Sequence, residues 1–349
     1  MKRGSILIFA LWIMILLTMF AASIGFRSRL GIRLATFHNS LQENSFEFQS
    51  LINLASHLIN EDEDPLSDST QDLWYGAPQK YSSFDYSSEF DLTITDEESK
   101  LNINKATEVV LQNLLKVLNE NGIKLKTKPE DLIGGIVRWR GGTSIQGKPG
   151  IGFQHKRAPF ETVDELRLIQ NINPADLEIL KPYLTVYGRP FDFSLKVNLN
   201  TVNDWILDAL IRSLAGGDHQ KKILLNQIQI YRKGDPKDPK DHPAFTFTQA
   251  DLATGTFIQK LKLPNSPEMV AMVSQFVQFL IVDSQFFHVL VVTKEDAPHK
   301  KLIEAILGLR QQILVKSSKG NYTLQPRLNN VLNGYPFEVL YWNEKQVLQ

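Results

Sequence analysis

The chain has 349 residues, 43% of them apolar, and its 38 Lys and Arg balance 38 Asp and Glu to a formal net charge of zero. That apolar content supports a packed core and excludes wholesale disorder, while the even charge gives no long-range attraction to nucleic acid or anionic lipid. The absence of Cys excludes a disulfide framework, a thiolate nucleophile and a Cys-ligated metal. The seven His are scattered, with no pair at a metal-binding helical spacing.

After Met1-Lys2-Arg3-Gly4, the run from Ser5 to Phe26 carries no charge. As a helix it is about 33 Å long, enough to cross the hydrocarbon of a bilayer. One reading is a cleaved signal peptide, with Lys2-Arg3 as its basic region and Ala21-Ala22-Ser23 offering small residues for cleavage. The other is a retained anchor, which the length of the apolar run favours. So does its continuation: Leu30, Leu34, Phe37, Leu41, Phe48, Leu51, Ala55 and Leu58 follow three- and four-residue steps, broken by one longer gap. No Pro precedes Pro65, so the pattern predicts one helix from Ser5 to about Asn60, roughly 80 Å long. Its first half would lie in lipid and its second half would lay one stripe on a soluble domain. Lys2 and Arg3 favour a cytoplasmic N-terminus, but Arg27, Arg29 and Arg33 follow the apolar run, so a plain count of positive charges leans the other way.

An acidic turn, Glu61-Asp62-Glu63-Asp64-Pro65, follows the helix, then Asp72-Leu73-Trp74-Tyr75-Gly76 and a segment rich in Ser, Tyr and Phe. Phe90 to Thr95 alternates with period two and predicts a half-buried strand; 286–293, 302–315 and Tyr335 to Trp342 supply further strand-like runs. The long stretch 99–282 between them reads as helical. Strands enclosing a helical block predict an α+β fold: a long N-terminal helix on a small antiparallel sheet, with a large helical insertion. The expected divisions are a leader at 1–4, a membrane segment at 5–26 within the helix, a sheet-bearing body in 61–98 and 283–349, and the insertion at 99–282.

The insertion contains an echo. Asn102-Ile103-Asn104 opens a helix carrying Val110, Leu111, Leu114 and Leu115; ninety-six residues on, Asn198-Leu199-Asn200 opens one carrying Ile206, Leu207, Leu210 and Ile211. The Asn pairs are expected to cap these helices, with the Ile or Leu between them facing inward. Thr162 and Glu165 have capping-box spacing, and Phe245 to Leu252 resembles that segment loosely, so two related units are expected. Lys233 to Pro243, alternating Lys, Asp and Pro, reads as a solvated loop.

The short basic leader ending in Gly4, joined to an unbroken hydrophobic helix, resembles type IV pilins and pseudopilins. The resemblance implies that a prepilin peptidase cuts after Gly4, that Ser5 becomes the first mature residue with a methylated amine, and that the helix sits in the inner membrane with its N-terminus cytoplasmic and the body periplasmic. Members usually carry Glu at the fifth mature position, which here is Phe9. A carboxylate in that apolar setting is costly unless paired, and a subunit at a filament tip has no neighbour's amine ahead of it to pair with. The motifs Asp72-x-Trp74, Asp96-Glu97-x-x-Lys100-Leu101-Asn102-Ile103-Asn104, Phe160-x-x-x-x-Glu165-Leu166, Pro182-Tyr183-Leu184-Thr185-Val186, Asn198-Leu199-Asn200-Thr201 and Arg310 resemble, in that order, the type K minor pseudopilin family of type II secretion (general secretion pathway protein K). It implies a helical insertion of helix-hairpin-helix or SAM-like kind and a tip subunit that initiates or caps the pseudopilus and aids export of folded proteins across the outer membrane. Minor pseudopilins of types I and J are the implied partners, met through the stripe Leu30, Leu34, Phe37, Leu41, Phe48, Leu51 and Leu58. It also implies calcium on loop oxygens, for which the sequence assigns no ligands. Arg138 and Arg140 stand where the family usually carries acidic residues around Trp139.

Two other classes compete. A membrane-anchored helix-hairpin-helix DNA receptor of a competence-like system shares Asn102-Ile103-Asn104, Arg140, Pro159-Phe160 and Glu165-Leu166. Its second phosphate-binding hairpin would fall on Ile169-Gln170-Asn171-Ile172-Asn173, which has no Gly, and the net charge is zero. An enzyme would need the runs Glu61–Asp64 or Asp96-Glu97-Glu98 as acids or ligands, but no base, nucleophile or phosphate loop accompanies them. The expectation is therefore no catalysis, no required cofactor and no nucleic acid.

Overall fold

The computed structural model describes residues 3–62, 64, 66–77, 90–142, 156–189, 192, 194–234, 244–294, 301–309, 312–316, 322–326 and 337–346. Side chains are not described for 3–9, 36–48, 301, 309, 312–316, 322–326 and 344–346. The Ser/Tyr/Phe-rich segment, most of the Lys/Asp/Pro stretch and Arg310 lie outside the described residues. The chain divides into two compact units, Met1–Leu54 and Ala55–Gln349.

The first unit is helical. Helix α1 (Arg3–Asn60) runs for 58 residues and ends just before the acidic turn, as the unbroken pattern predicts. Its stretch Ala10–Ala35 has a mean hydropathy of 1.8 and none of it is buried. Trp12, Phe20 and Phe26 are 62%, 66% and 70% exposed. Apolar side chains presented in every direction over that length suit a hydrocarbon surround.

The second unit is built on a four-stranded antiparallel sheet of β1 (Phe90–Asp96), β6 (Phe286–Thr293), β7 (Lys301–Leu309) and β10 (Phe337–Gln346), in that spatial order. Period-two alternation sets its register. Leu92 lies opposite Val291 and Ile94 opposite Val289, while Val289 and Val291 meet Ala305 and Ile303; all six are buried. Trp74 is fully buried and stands edge-on to Phe287, with ring centroids 5.1 Å apart. Gly76 extends the β1 edge, exchanging both backbone hydrogen bonds with Ile94 at 2.7 and 2.8 Å. Its φ of +74° explains why glycine stands there. A hairpin of β8 (Gln312–Lys316) and β9 (Tyr322–Pro326) forms a separate two-stranded sheet.

Between β1 and β6 the chain is mainly helical, around one buried cluster that extends from Leu101 to Val282. Two units repeat. In the first, β2 (Leu101–Asn102) pairs in parallel with β3 (Leu184–Thr185) and encloses α2 (Glu108–Glu120), α3 (Pro129–Trp139) and α4 (Pro174–Leu180). In the second, β4 (Val197–Asn198) pairs with β5 (Leu280–Ile281) and encloses α5 (Asp204–Ser213), α6 (Asp218–Lys233), α7 (Thr254–Lys260) and α8 (Pro267–Phe276). The antiparallel sheet and helical insertion agree with the α+β expectation.

The Asn pairs do not cap helices as expected. Thr107 caps α2 by accepting from the Val110 N–H, and Asn203 caps α5 through the Trp205 N–H. Asn104 instead clasps a distant backbone: its Oδ1 accepts from the Phe160 N–H at 2.7 Å and its Nδ2 donates to the Phe160 carbonyl at 2.9 Å. Asn200 does the same to Phe247, at 2.8 and 2.9 Å. The helices begin several residues beyond the Asn pairs, which leaves those amides able to bind backbone far away in sequence. Ile103 and Leu199 are fully buried, as predicted. Both capping boxes form, Thr162 with Glu165 and Thr248 with Asp251.

Candidate functional site

Beyond α1 the acidic turn folds back, and Asp62, Asp68 and Asp72 bring one carboxylate oxygen each to within 4.8 Å of one another. Local bonds fix each of them. The Trp74 Nε1–H donates to Asp62 Oδ2 at 3.1 Å. Ser69 donates to Asp72 through its backbone at 2.6 Å and its hydroxyl at 2.9 Å. The Ser284 N–H donates to Asp68 Oδ2 at 2.6 Å, and the Asp68 N–H donates to the Val282 carbonyl at 2.8 Å. The motif Asp72-x-Trp74 thus finds its reason here: the carboxylate and the indole both frame this cluster.

Crowded carboxylates in a low-dielectric site resist ionisation. Burial first, then the charges of Asp96, Asp62 and Asp72, push Asp68 up to about 9 despite its bond from Ser284. Asp72 rises to about 6, again through burial and then the neighbouring acids Asp62 and Asp64. Asp96, at the end of β1, is fully buried, and burial raises it against hydrogen bonds from Ser284, Thr201, the Glu98 N–H and Asn198. A bound cation would reverse this penalty. The donors are hard oxygens, which suit calcium or magnesium rather than a soft metal.

Asn198 and Asn200 anchor this acidic segment to the second helical unit. Asn198 Nδ2 donates to the Asp68 carbonyl at 3.2 Å and to Ser284 Oγ at 2.8 Å. Asn200 Nδ2 reaches Ser67 Oγ at 3.3 Å. Nothing in the sequence pattern marks these three acids as a group. The acidic run at 61–64 read as solvated surface, and Asp68 lies in a stretch without periodicity. Only the return of the chain onto Val282 and Ser284 brings the three acids together.

The residues named from the leader, Gly4, Ser5 and Phe9, lie in the first turns of α1, and their side chains fall outside the described residues. Of the stripe, Leu30 and Leu34 are 49% and 51% exposed, whereas Leu51 and Leu58 are 0% and 6% exposed. The side chains of Phe37, Leu41 and Phe48 fall outside the described residues.

Arg140 supports the fold: its Nη1 donates to the Ile103 carbonyl at 2.6 Å, and burial depresses its guanidinium. Trp139 donates to Glu165 at 2.9 Å and stacks on Phe160. Donors at the end of the segment compared with a phosphate-binding hairpin, and just beyond it, are used within the fold. Asn173 N donates to Thr127 Oγ1, and the N–H groups of Ala175 and Asp176 donate to Asn173. Asn171 does adopt the left-handed conformation there, with φ of +69°, so the turn forms without glycine.

No protein-family model and no curated protein matches the sequence. A solved structure does match: a chain of the crystal structure of the GspK-GspI-GspJ complex from the type 2 secretion system of enterotoxigenic Escherichia coli. The TM-score is 0.54 and the identity 14%, over 89% of this chain and 98% of that one. At that identity the likeness is one of fold.

Proposed function

We propose that this chain is a type K minor pseudopilin, a non-enzymatic tip subunit of a type II secretion pseudopilus that initiates or caps its assembly. The observation that carries the reading is the fold likeness to a chain of a GspK-GspI-GspJ complex along 98% of that chain's length. It joins the leader ending in Gly4 and the Phe9 position, which are independent of the body. In this reading α1 anchors the chain in the inner membrane, N-terminus in the cytoplasm and body in the periplasm. A prepilin peptidase cuts between Gly4 and Ser5, and Ser5 is methylated. Phe9 offers no carboxylate to a neighbour's buried amine, so the chain is unfit for repeated incorporation along a filament. Subunits of types I and J are its partners, and the exposed Leu30–Leu34 part of α1 is available to meet them.

We further propose that Asp62, Asp68 and Asp72 hold calcium. They supply three of the six to eight oxygens that ion takes, and the ion would tie the turn after α1 to the second helical unit.

The reading is tested by mass and N-terminal sequence of the protein from membranes, with its copy number per assembly. The expected result is a mature chain starting at methylated Ser5, membrane-bound, at about one copy per pseudopilus. A soluble product starting near Ile24, or labelling along the whole filament, would refute it.

A further inference from the structure

The two helical units are alike enough that one shows what the other could bind. In the second unit Asn198, Thr201 and Ser284 receive the chain's own acidic segments. The Ser284 N–H holds Asp68 Oδ2, Asn198 holds the Asp68 carbonyl, the Val282 carbonyl accepts from the Asp68 N–H, and the Thr201 hydroxyl donates to Asp96. The surrounding frames match bond for bond. The Ile103 N–H donates to the Thr185 carbonyl at 2.8 Å where the Leu199 N–H donates to the Ile281 carbonyl at 2.9 Å. Asn102 Oδ1 accepts from the Asn104 N–H as Asn198 Oδ1 does from the Asn200 N–H, both at 2.9 Å.

The same register places Asn102, Lys105, Val186 and Gly188 of the first unit at the positions of Asn198, Thr201, Val282 and Ser284. No acidic segment of the described chain fills this place. A cleft stands there instead, and its lining includes Asn102, Lys105, Gly188, Arg189 and Lys196. The Asn102 amide has turned inward: Nδ2 donates to the Val186 and Tyr187 carbonyls at 3.2 and 2.7 Å. In the second unit the Val282 carbonyl is met by the incoming aspartate residue. The lack of a side chain at Gly188 permits this swing, since a Cβ there would lie 2.8 Å from Asn102 Nδ2 and 3.4 Å from Lys105 Nζ.

The charge of the cleft is also suited to an acid. Among the described residues, the hydrogen bonds of the Lys105 and Lys196 ammonium groups go to backbone carbonyls, of Arg189 and Gln278, at 3.0 and 2.8 Å, and Asp192 and Glu98 act on Lys105 by charge. Glu98, the acid that lines the cleft, is already engaged by Arg189 at 3.3 Å and by the Gln285 N–H at 2.6 Å. Burial holds the Lys105 ammonium below its usual range even though the charges of Asp192 and Glu98 pull it upward, and the part of that penalty left over is one an incoming carboxylate would offset.

We infer that the Asn102–Lys105–Gly188 cleft binds an extended, aspartate-bearing segment of a partner protein, in the manner in which the second unit binds Ser67-Asp68-Ser69. The backbone of the segment replaces the Asn102 amide on the Val186 carbonyl, and its carboxylate meets the Gly188 N–H and Lys105. The inference rests on the internal repeat and on charge, and it does not require the chain to be a pseudopilin.

The test is fluorescence anisotropy with full-length protein in detergent and a labelled peptide carrying the chain's own sequence from Leu66 to Gln71. The expected result is saturable binding that weakens as salt rises. Affinity should fall at least tenfold for the Asp-to-Asn peptide and at least tenfold for Lys105→Gln. Lys196→Gln, at the cleft rim, should weaken binding by a smaller factor and covers the case in which Lys105→Gln fails to fold. No binding at millimolar peptide, equal affinity for the Asn peptide, indifference to both lysine substitutions, or displacement by millimolar acetate alone would each overturn the inference.

Discussion

Replacing Asn200 with Ala should be among the most destabilising single changes in the body. The amide is 5% exposed and holds Phe247 from both sides, at 2.8 and 2.9 Å. Ser67 Oγ also donates to the Phe247 carbonyl, at 2.8 Å, so that oxygen keeps a partner in Asn200→Ala. The Phe247 N–H does not, and a buried orphan of that kind costs about 1–3 kcal/mol. With the lost packing of the amide the total is about 2–4 kcal/mol, or roughly 4–16 °C in Tm for a unit of this size. Asn104→Ala breaks the equivalent clasp on Phe160, but Asn104 is half-buried and water can enter, so its cost should be smaller, about 1–2 kcal/mol. Asn200→Asp keeps an acceptor for the Phe247 N–H but sets a carboxylate against the Phe247 carbonyl; it should be at least as damaging as Ala. Thermal unfolding of the three variants by circular dichroism in detergent gives the comparison. A loss below about 2 °C for Asn200→Ala, or a larger one for Asn104→Ala, would refute the clasp as a tertiary tie.

Chelation of calcium should lower Tm by several degrees in the natural sequence and leave the double substitution Asp62→Asn, Asp72→Asn unmoved, since saturating a site a hundredfold above its Kd contributes about 2.7 kcal/mol; equal shifts in both proteins would exclude these ligands. At Asp176, burial opposes ionisation, but the Thr127 side chain and the N–H groups of Lys126 and Thr127, at 2.9 and 2.7 Å, outweigh it and hold the carboxyl below its usual range. Its contribution to stability is then present above the unfolded value of about 3.9 and lost as pH falls through the lower folded one. Asp176→Asn should therefore be destabilised at pH 7 with a deficit that shrinks toward pH 2, and a deficit constant with pH would contradict that. Salt-sensitive DNA binding should be absent at physiological ionic strength, because the net charge is zero and the N–H groups of Asn173, Ala175 and Asp176, at the end of the compared segment and just beyond it, are engaged within the fold; micromolar affinity falling steeply with salt would revive the receptor reading.

Local patterns in the sequence determine much of this protein. The unbroken apolar run and its three- and four-residue continuation determine α1, because helix periodicity is written in consecutive residues. Alternation at Phe90–Thr95 and at 286–293 determines β1 and β6, whose observed bounds are Phe90–Asp96 and Phe286–Thr293. The capping box of Thr162 and Glu165 and the repeat of Asn-x-Asn are equally local. The tertiary structure alone decided what the repeated asparagines hold, since Asn104 and Asn200 act on Phe160 and Phe247 across gaps that no periodicity spans. It also decided that Leu51 and Leu58 are buried while Leu30 and Leu34 remain exposed, although all four share one helical pattern. Finally, it assembled Asp62, Asp68 and Asp72 against Ser284. Carboxylates repel, so nothing local draws them together; long-range hydrogen bonds from 198, 200, 282 and 284 fix their place, and those bonds exist only once the sheet and the second helical unit have formed.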